Sequence, residues 1–251
     1  VLNANGLPQH LLIVGGGSEI AAAIAARMAD GPLERVALLG PNVETLSRTA
    51  AGLTPAVSDV ETFPLDLSQP DEAVAALEPA MAWLGSVDSA IIASGILPDQ
   101  HLADHDPHLV ARTFSVNATG PAACLTVVAD HMEHAGTGQL IVLSSVAATV
   151  VRRRSYLYDA SKAALDRFAL GLADRLEPAV GVHIVRPVFV ETRMTANLAR
   201  PPLVLSVDAV AHATIEGIQA KQRVIWVPKP ARIGAAALGL LPRSLLRRLP
   251  I

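Results

Sequence analysis

The segment Leu11-Leu12-Ile13-Val14-Gly15-Gly16-Gly17-Ser18-Glu19-Ile20-Ala21 runs from an apolar tetrad into three glycines and then into alanine-rich sequence. Residues 10–14 read as a buried strand and residues 20–29 as a helix, with the glycines as the turn between them. Glycine permits a tight turn and lets backbone N–H groups approach a pyrophosphate, whose charge then sits on the helix N-terminus. Gly15, Gly17, Ser18, Glu19 and Ile20 are therefore the candidate phosphate-loop residues. Glycine-rich turns also serve ordinary strand–helix connections, so the loop gains meaning only in combination with motifs elsewhere in the chain. Glu19 and Ala21 stand where many dinucleotide folds carry glycine, and the Glu19 carboxylate is expected to point away from a bound phosphate.

The same alternation continues along the chain. Apolar, strand-like runs recur at 35–39, 61–65, 87–93, 139–143, 182–185 and 223–227, and helical patterns fill the gaps at 43–53, 70–84, 108–134, 156–176 and 208–220. Strands that are apolar on both faces, separated by helices, predict an α/β fold with a parallel sheet covered on both sides. No internal repeat, low-complexity linker or long charge run marks a boundary within 1–232, which reads as one domain. The stretch 233–251 reads as an amphipathic, basic tail.

Composition narrows the class further. Aromatic residues make up 3% of the 251, so the core must be built from Ala, Val, Leu and Ile. The formal net charge of −3 gives no general attraction to nucleic acid or anionic membrane. Cys124, the single cysteine, excludes an internal disulfide and fits a reducing compartment. No signal peptide is read, and no apolar stretch reaches the roughly 18–20 residues of a membrane-spanning helix. The expected location is cytoplasmic or membrane-associated.

Chemistry enters at Tyr158 and Lys162, which share one face of the helix at i and i+4. A cation beside a phenol is expected to lower its pKa, so that the phenol can exchange a proton with a carbonyl oxygen. Ser145, just after the fifth strand, can orient the same oxygen, and Asn117, after the fourth strand, can hold a water linking Lys162 to solvent. Asp66, after the third strand, is placed to accept from an adenine amine, or else to serve as a loop or capping residue before the next helix. Residues 39–42 offer neither a carboxylate for a ribose 2′-hydroxyl nor a cation for a 2′-phosphate. The missing cation favours NADH over NADPH.

Taken together, the glycine loop, Asp66, Val116-Asn117, Ser144-Ser145, Tyr158-Asp159-Ala160-Ser161-Lys162 and Arg186-Pro187 resemble the short-chain dehydrogenase/reductase family over nearly the whole chain. The resemblance implies a single Rossmann domain with a doubly wound sheet of seven parallel strands. It implies Tyr158 as general acid/base, Lys162 on the nicotinamide ribose, Ser145 orienting the substrate and Asn117 anchoring the relay water. It adds Leu67, Ala93, Gly95, Pro187, Val190 and Thr192 to the cofactor contacts, and it implies a homo-oligomer. Two departures lie beside the cofactor: Ile92-Ala93-Ser94-Gly95 replaces the usual Asn-Asn-Ala-Gly, and Val188 replaces glycine after Pro187.

A narrower resemblance rests on Gly15–Ile20, Val151-Arg152-Arg153-Arg154, Arg193-Met194-Thr195 and the ending 241–251. These strings are similar to the mycobacterial branch of the family that reduces a 2-keto-pentose carried on decaprenyl phosphate, an NADH-using step toward cell-wall arabinan. That branch implies a lipid-linked sugar-phosphate substrate and a flavoprotein oxidase partner. Arg152, Arg153 and Arg154 would then bind the substrate phosphate through their guanidinium forks, or else form a solvated basic loop or a subunit contact. The tail suits a membrane interface, and equally a helix packed on the body or at an oligomer interface. Other sugar, polyol or lipid carbonyls fit the same catalytic set, while a cofactor-binding scaffold would have no use for the proton relay. His101, His105 and His108 lack the further ligands of a zinc site, and Cys124, amid apolar residues, reads as core.

Overall fold

The computed structural model describes residues 2–246. Seven strands, β1 (His10–Val14), β2 (Arg35–Gly40), β3 (Asp59–Pro64), β4 (Ser89–Ile92), β5 (Gly138–Leu143), β6 (Val180–Pro187) and β7 (Val224–Val227), form one sheet. All neighbours are parallel, in the order β3-β2-β1-β4-β5-β6-β7. The side-chain period of two sorts the apolar strands onto two cores. Leu12, Val14, Ile92, Val142 and Ile184 face one helical layer. Leu11, Ile13, Ile91, Ile141 and Val185 face the other. Strand order reverses between β1 and β4, and the crevice above the strands' carboxyl ends at such a switch point is where ligands bind in open α/β sheets.

The connecting helices, in chain order, are α1 (Glu19–Met28), α2 (Val43–Leu53), α3 (Pro70–Ala75), α4 (Leu77–Leu84), α5 (Gln100–Ala103) and α6 (Pro107–Phe114). They continue with α7 (Gly120–Ala135), α8 (Tyr156–Leu176), α9 (Val207–Gln219), α10 (Ala231–Gly239) and α11 (Arg243–Leu246). Helices α1, α2 and α9 cover one face of the sheet, while α3, α4, α7 and α8 cover the other. Side chains cap several helices where the sequence changes: Ser18 Oγ accepts from Ala21 N at 3.3 Å, and Asn42 Oδ1 from Thr45 N at 2.8 Å.

Two segments read as single helices are interrupted. The helix expected over 70–84 breaks at Ala76, because Pro79 has no N–H to donate to the Ala75 carbonyl. The long helix expected over 108–134 contains a π-turn at Ser115–Thr119, between α6 and α7. Pro121 there cannot donate to the Asn117 carbonyl, and the chain widens locally with Gly120 N bonding Ser115 O. Both breaks come from a proline inside an otherwise helical pattern.

Candidate active site

The glycine turn is pinned from both sides. Gly15 N and Gly16 N donate to Leu39 O of β2 at 2.9 and 2.8 Å, and Ala93 N donates to Val14 O at 2.8 Å. Gly15 has φ +89°, and a Cβ there would lie 2.6 Å from Ser94 N. Only glycine satisfies both conditions. A Cβ on Gly17 would lie 2.6 Å from Thr45 Cγ2, so the loop also fits closely against α2.

Glu19, in the first turn of α1, is turned toward the loop after β6. Its Oε2 accepts from Arg193 N at 2.8 Å and lies 3.3 Å from Arg193 Nε. Arg193 also donates from Nη2 to Gly17 O at 2.8 Å. The acidic residue in the glycine loop is thus balanced by an arginine reaching across the crevice. Thr192 N, just before it, donates to Thr195 Oγ1, which in turn donates to Val190 O at 2.6 Å. Val190 and Pro187 are buried beneath this turn. Val188, in place of the family's glycine, donates from its N to Val227 O and keeps the end of β6 on the sheet.

Asp66 is exposed and its Oδ1 accepts from Ser68 N at 2.8 Å; that bond holds its pKa below the ordinary value. Leu67 is buried against Gly120, where a Cβ would meet Leu67 O at 2.7 Å. Asn117 is fully buried and its amide makes three bonds. Oδ1 accepts from Ile96 N at 2.7 Å, and Nδ2 donates to Ile96 O at 2.9 Å and Ser161 Oγ at 3.0 Å. The side chain therefore clamps the strand end after Gly95 to α8.

Helix α8 carries the Tyr158 and Lys162 pair. Tyr158 is half-buried and interacts with the Ser145 hydroxyl, while Lys162, one turn on, is buried with Nζ donating to Leu143 O at 2.8 Å and Ser94 O at 3.4 Å. Burial pushes the Tyr158 phenol up to about 12, helped by the Asp159 charge and opposed by Arg152 and Ser145. Burial pulls the Lys162 ammonium down to about 8, opposed by Asp166. The phenol's shift is thus upward, against the downward sense expected of a neighbouring cation, and removal from water is its largest cause.

Under α8 lies a buried network that motif reading missed. Asp166 takes a bidentate fork from Arg186 at 2.9 and 2.6 Å, and a bond from Ser144 Oγ at 2.6 Å. The Arg186 guanidinium stacks over Trp226, 4.9 Å from the ring centroid. This ties α8 to β5, β6 and β7 next to Ser145. The Arg152–Arg154 run divides in two: Arg152 pairs with the fully buried Asp159, while Arg153 and Arg154 are exposed. Among the described residues no cluster of potential metal ligands occurs. The tail beyond Leu246 lies outside the described residues; before it, Arg243 Nη1 donates to Val151 O at 2.9 Å, bringing α11 to the edge of the site.

A family model described as short chain dehydrogenase matches residues 9–202. An uncharacterized oxidoreductase of Mycobacterium tuberculosis is 38% identical over 245 residues, covering 96% of this chain and 96% of that protein. An uncharacterized oxidoreductase of Streptomyces coelicolor is 34% identical over 254 residues, covering 99% of each. Among solved structures, a short-chain dehydrogenase from Sphingobium yanoikuyae in complex with NADPH superposes with a TM-score of 0.80 at 23% identity, covering 94% of this chain and 98% of that one.

Proposed function

The chain belongs to the short-chain dehydrogenase family and is an oxidoreductase, and from that premise we propose that it moves a hydride between a nicotinamide cofactor and a carbonyl or alcohol carbon. The observation that carries this is the meeting of Ser145, Tyr158 and Lys162 at the carboxyl ends of β4 and β5. The residues fit the cofactor. The glycine turn brings backbone to the N-terminus of α1, and the buried Ser94 hydroxyl, beside Lys162, has no partner among the described residues. When bound, the cofactor supplies or accepts the hydride. Tyr158 donates its phenolic proton to the carbonyl oxygen during reduction, Ser145 orients that oxygen, and Lys162 holds positive charge nearby. Replacing Tyr158 with Phe is expected to lower kcat by at least about a hundredfold while cofactor binding persists. Near wild-type turnover would overturn the assignment.

For the finer reading, we favour NADH, because residues 39–42 carry no cation for a 2′-phosphate and Asn42 is occupied capping α2. The NADPH of the S. yanoikuyae structure belongs to that protein and is the competing choice. The substrate we propose is a polyprenylphosphoryl 2-keto-pentose, reduced to its arabinose epimer, with a flavoprotein oxidase as the partner that makes it. Support comes from the sequence strings of that branch, from Arg153 and Arg154 exposed on the loop before Tyr158, and from exposed apolar side chains. Of these, Met194, Leu198 and Leu203 lie on the loop after β6, and Ile233 and Leu240 near the C-terminus. A membrane surface and self-association are further partners of this reading. NADH and NADPH oxidation, followed with the keto-pentose generated by such an oxidase, tests substrate and cofactor together. Formation of the arabinose epimer is the expected result; no oxidation, with cofactor binding intact, would redirect the search to another sugar, polyol or lipid carbonyl.

A further inference from the structure

The loop between Ser145 and Tyr158 is closed by one carboxylate. Asp159 has no solvent exposure and accepts four hydrogen bonds. They come from Arg152 N at 2.7 Å, Arg152 Nε at 3.1 Å, Arg152 Nη2 at 2.7 Å and Ser155 Oγ at 3.0 Å. Asp159 adjoins Tyr158 in the first turn of α8, and Arg152 lies on the far side of the loop, one-third exposed. We propose that Arg152 and Asp159 are positioning residues for Tyr158: the pair locks the 150–155 loop onto α8 and keeps the charge beside the phenol balanced. The proposal rests on Tyr158 as the proton donor.

Such a pair is costly. Taking two charges out of water is expensive, and an apolar contact would close a short loop at least as well. An ion pair at the residue adjoining the phenol also has an electrostatic effect that an apolar contact lacks. Asp159 raises the Tyr158 pKa and Arg152 lowers it, so the pair acts on the phenol with opposite signs. The other polar groups around Tyr158 are otherwise engaged. Ser145 lowers the phenol's pKa and its Oγ accepts from Ala147 N, Lys162 donates to backbone carbonyls, and Asp166 is held by Arg186 and Ser144. From α5 and α6, Asp104 accepts from Tyr156, and Arg112 acts on Asp66. Gln100 Oε1 accepts from Leu157 N at 3.0 Å and fixes the same helical turn from the other side.

The chain has only two tyrosines, so a single substitution isolates the phenol of interest. In a Tyr156→Phe background, ultraviolet absorbance of the phenolate reports Tyr158 alone, and rapid pH jumps take the reading before alkaline unfolding. No substrate is needed, so failure here is distinct from failure of the assigned reaction, which Tyr158→Phe tests. At the pH where the parent is half ionised, Asp159→Asn is expected to raise the ionised fraction to about nine-tenths and Arg152→Gln to lower it to about one-tenth, a shift of roughly one unit each way. The double variant returns toward half, because it removes both charges. Should Asp159→Asn fail to fold, Arg152→Gln decides alone: a lower ionised fraction supports the pair and an unchanged or higher one overturns it. Shifts in the same direction for Asp159→Asn and Arg152→Gln, or none, would reduce the pair to a loop fastener and overturn the proposal.

Discussion

Lys162 and Tyr158 are shifted against their ordinary values in opposite senses, and both shifts begin with burial. The consequence for stability is a pH dependence with a definite sign. Between about 8 and 10.5 the unfolded chain keeps a proton on Lys162 that the folded chain has released, so this group makes stability rise with pH across that window. Tyr158 works the other way from 10 to about 12, where the folded chain keeps a proton that the unfolded chain has lost. Lys162→Met is therefore expected to be more stable than the wild type near neutrality, with the gap narrowing from pH 8 to 10.5. Urea titrations of both proteins across that range measure it, and a constant gap would show that burial does not govern Lys162. Residue types and their spacing were legible in the chain. Desolvation was not, because the backbone that closes over Lys162 comes from Ser94 and Leu143, on other strands' ends. Asp159 lay within the Tyr-Asp-Ala-Ser-Lys string, and its pairing with Arg152 was readable only as an acid seven residues from the first arginine of a basic run.

Helix α8 is anchored by more than its apolar face. The Asp166–Arg186–Ser144 network holds its middle to β5 and β6, while Asp159–Arg152 holds its first turn to the loop. Removing one partner of a buried ion pair leaves the other charge uncompensated, so Asp166→Asn is expected to cost about 3–5 kcal/mol in unfolding free energy. Replacing Asp166 and Arg186 together by apolar residues of similar volume should cost less than the single change. Chemical denaturation of the three proteins measures this, and additive losses would mean that the two residues act independently. The elements themselves were largely legible, since β1, α2 and α8 fall on the residues that periodicity marks. The break at Ala76 and the π-turn at Ser115–Thr119 were not, although Pro79 and Pro121 stood in the sequence as their causes. A proline inside a helical pattern announces a fault without saying whether the chain kinks, breaks or widens.

Across the whole molecule, the parallel sheet is sealed by helices on both faces, and Cys124 lies in the core on the α7 side, fully buried. Burial pushes its thiol up to about 12. A thiol reagent at neutral pH is therefore expected to label Cys124 only through unfolding, slower than an unfolded control by on the order of a thousandfold or more. Labelling kinetics in native buffer and in denaturant measure this; rapid native labelling would place the thiol outside the core. Among the described residues no helix is long and apolar enough to cross a membrane. The α/β class, the strand count, the glycine turn and the residue types of the proposed proton relay were all present in the linear chain. Those features follow from local periodicity and from chemistry that needs particular side chains. Folding in three dimensions was needed to bring Glu19 to Arg193 across the crevice, to commit the Asn117 amide to Ile96 and Ser161, and to set Arg152 against Asp159. Each of these joins groups that chain spacing cannot rank as partners, because burial and the approach of neighbouring elements determine which charges and amides must find one another.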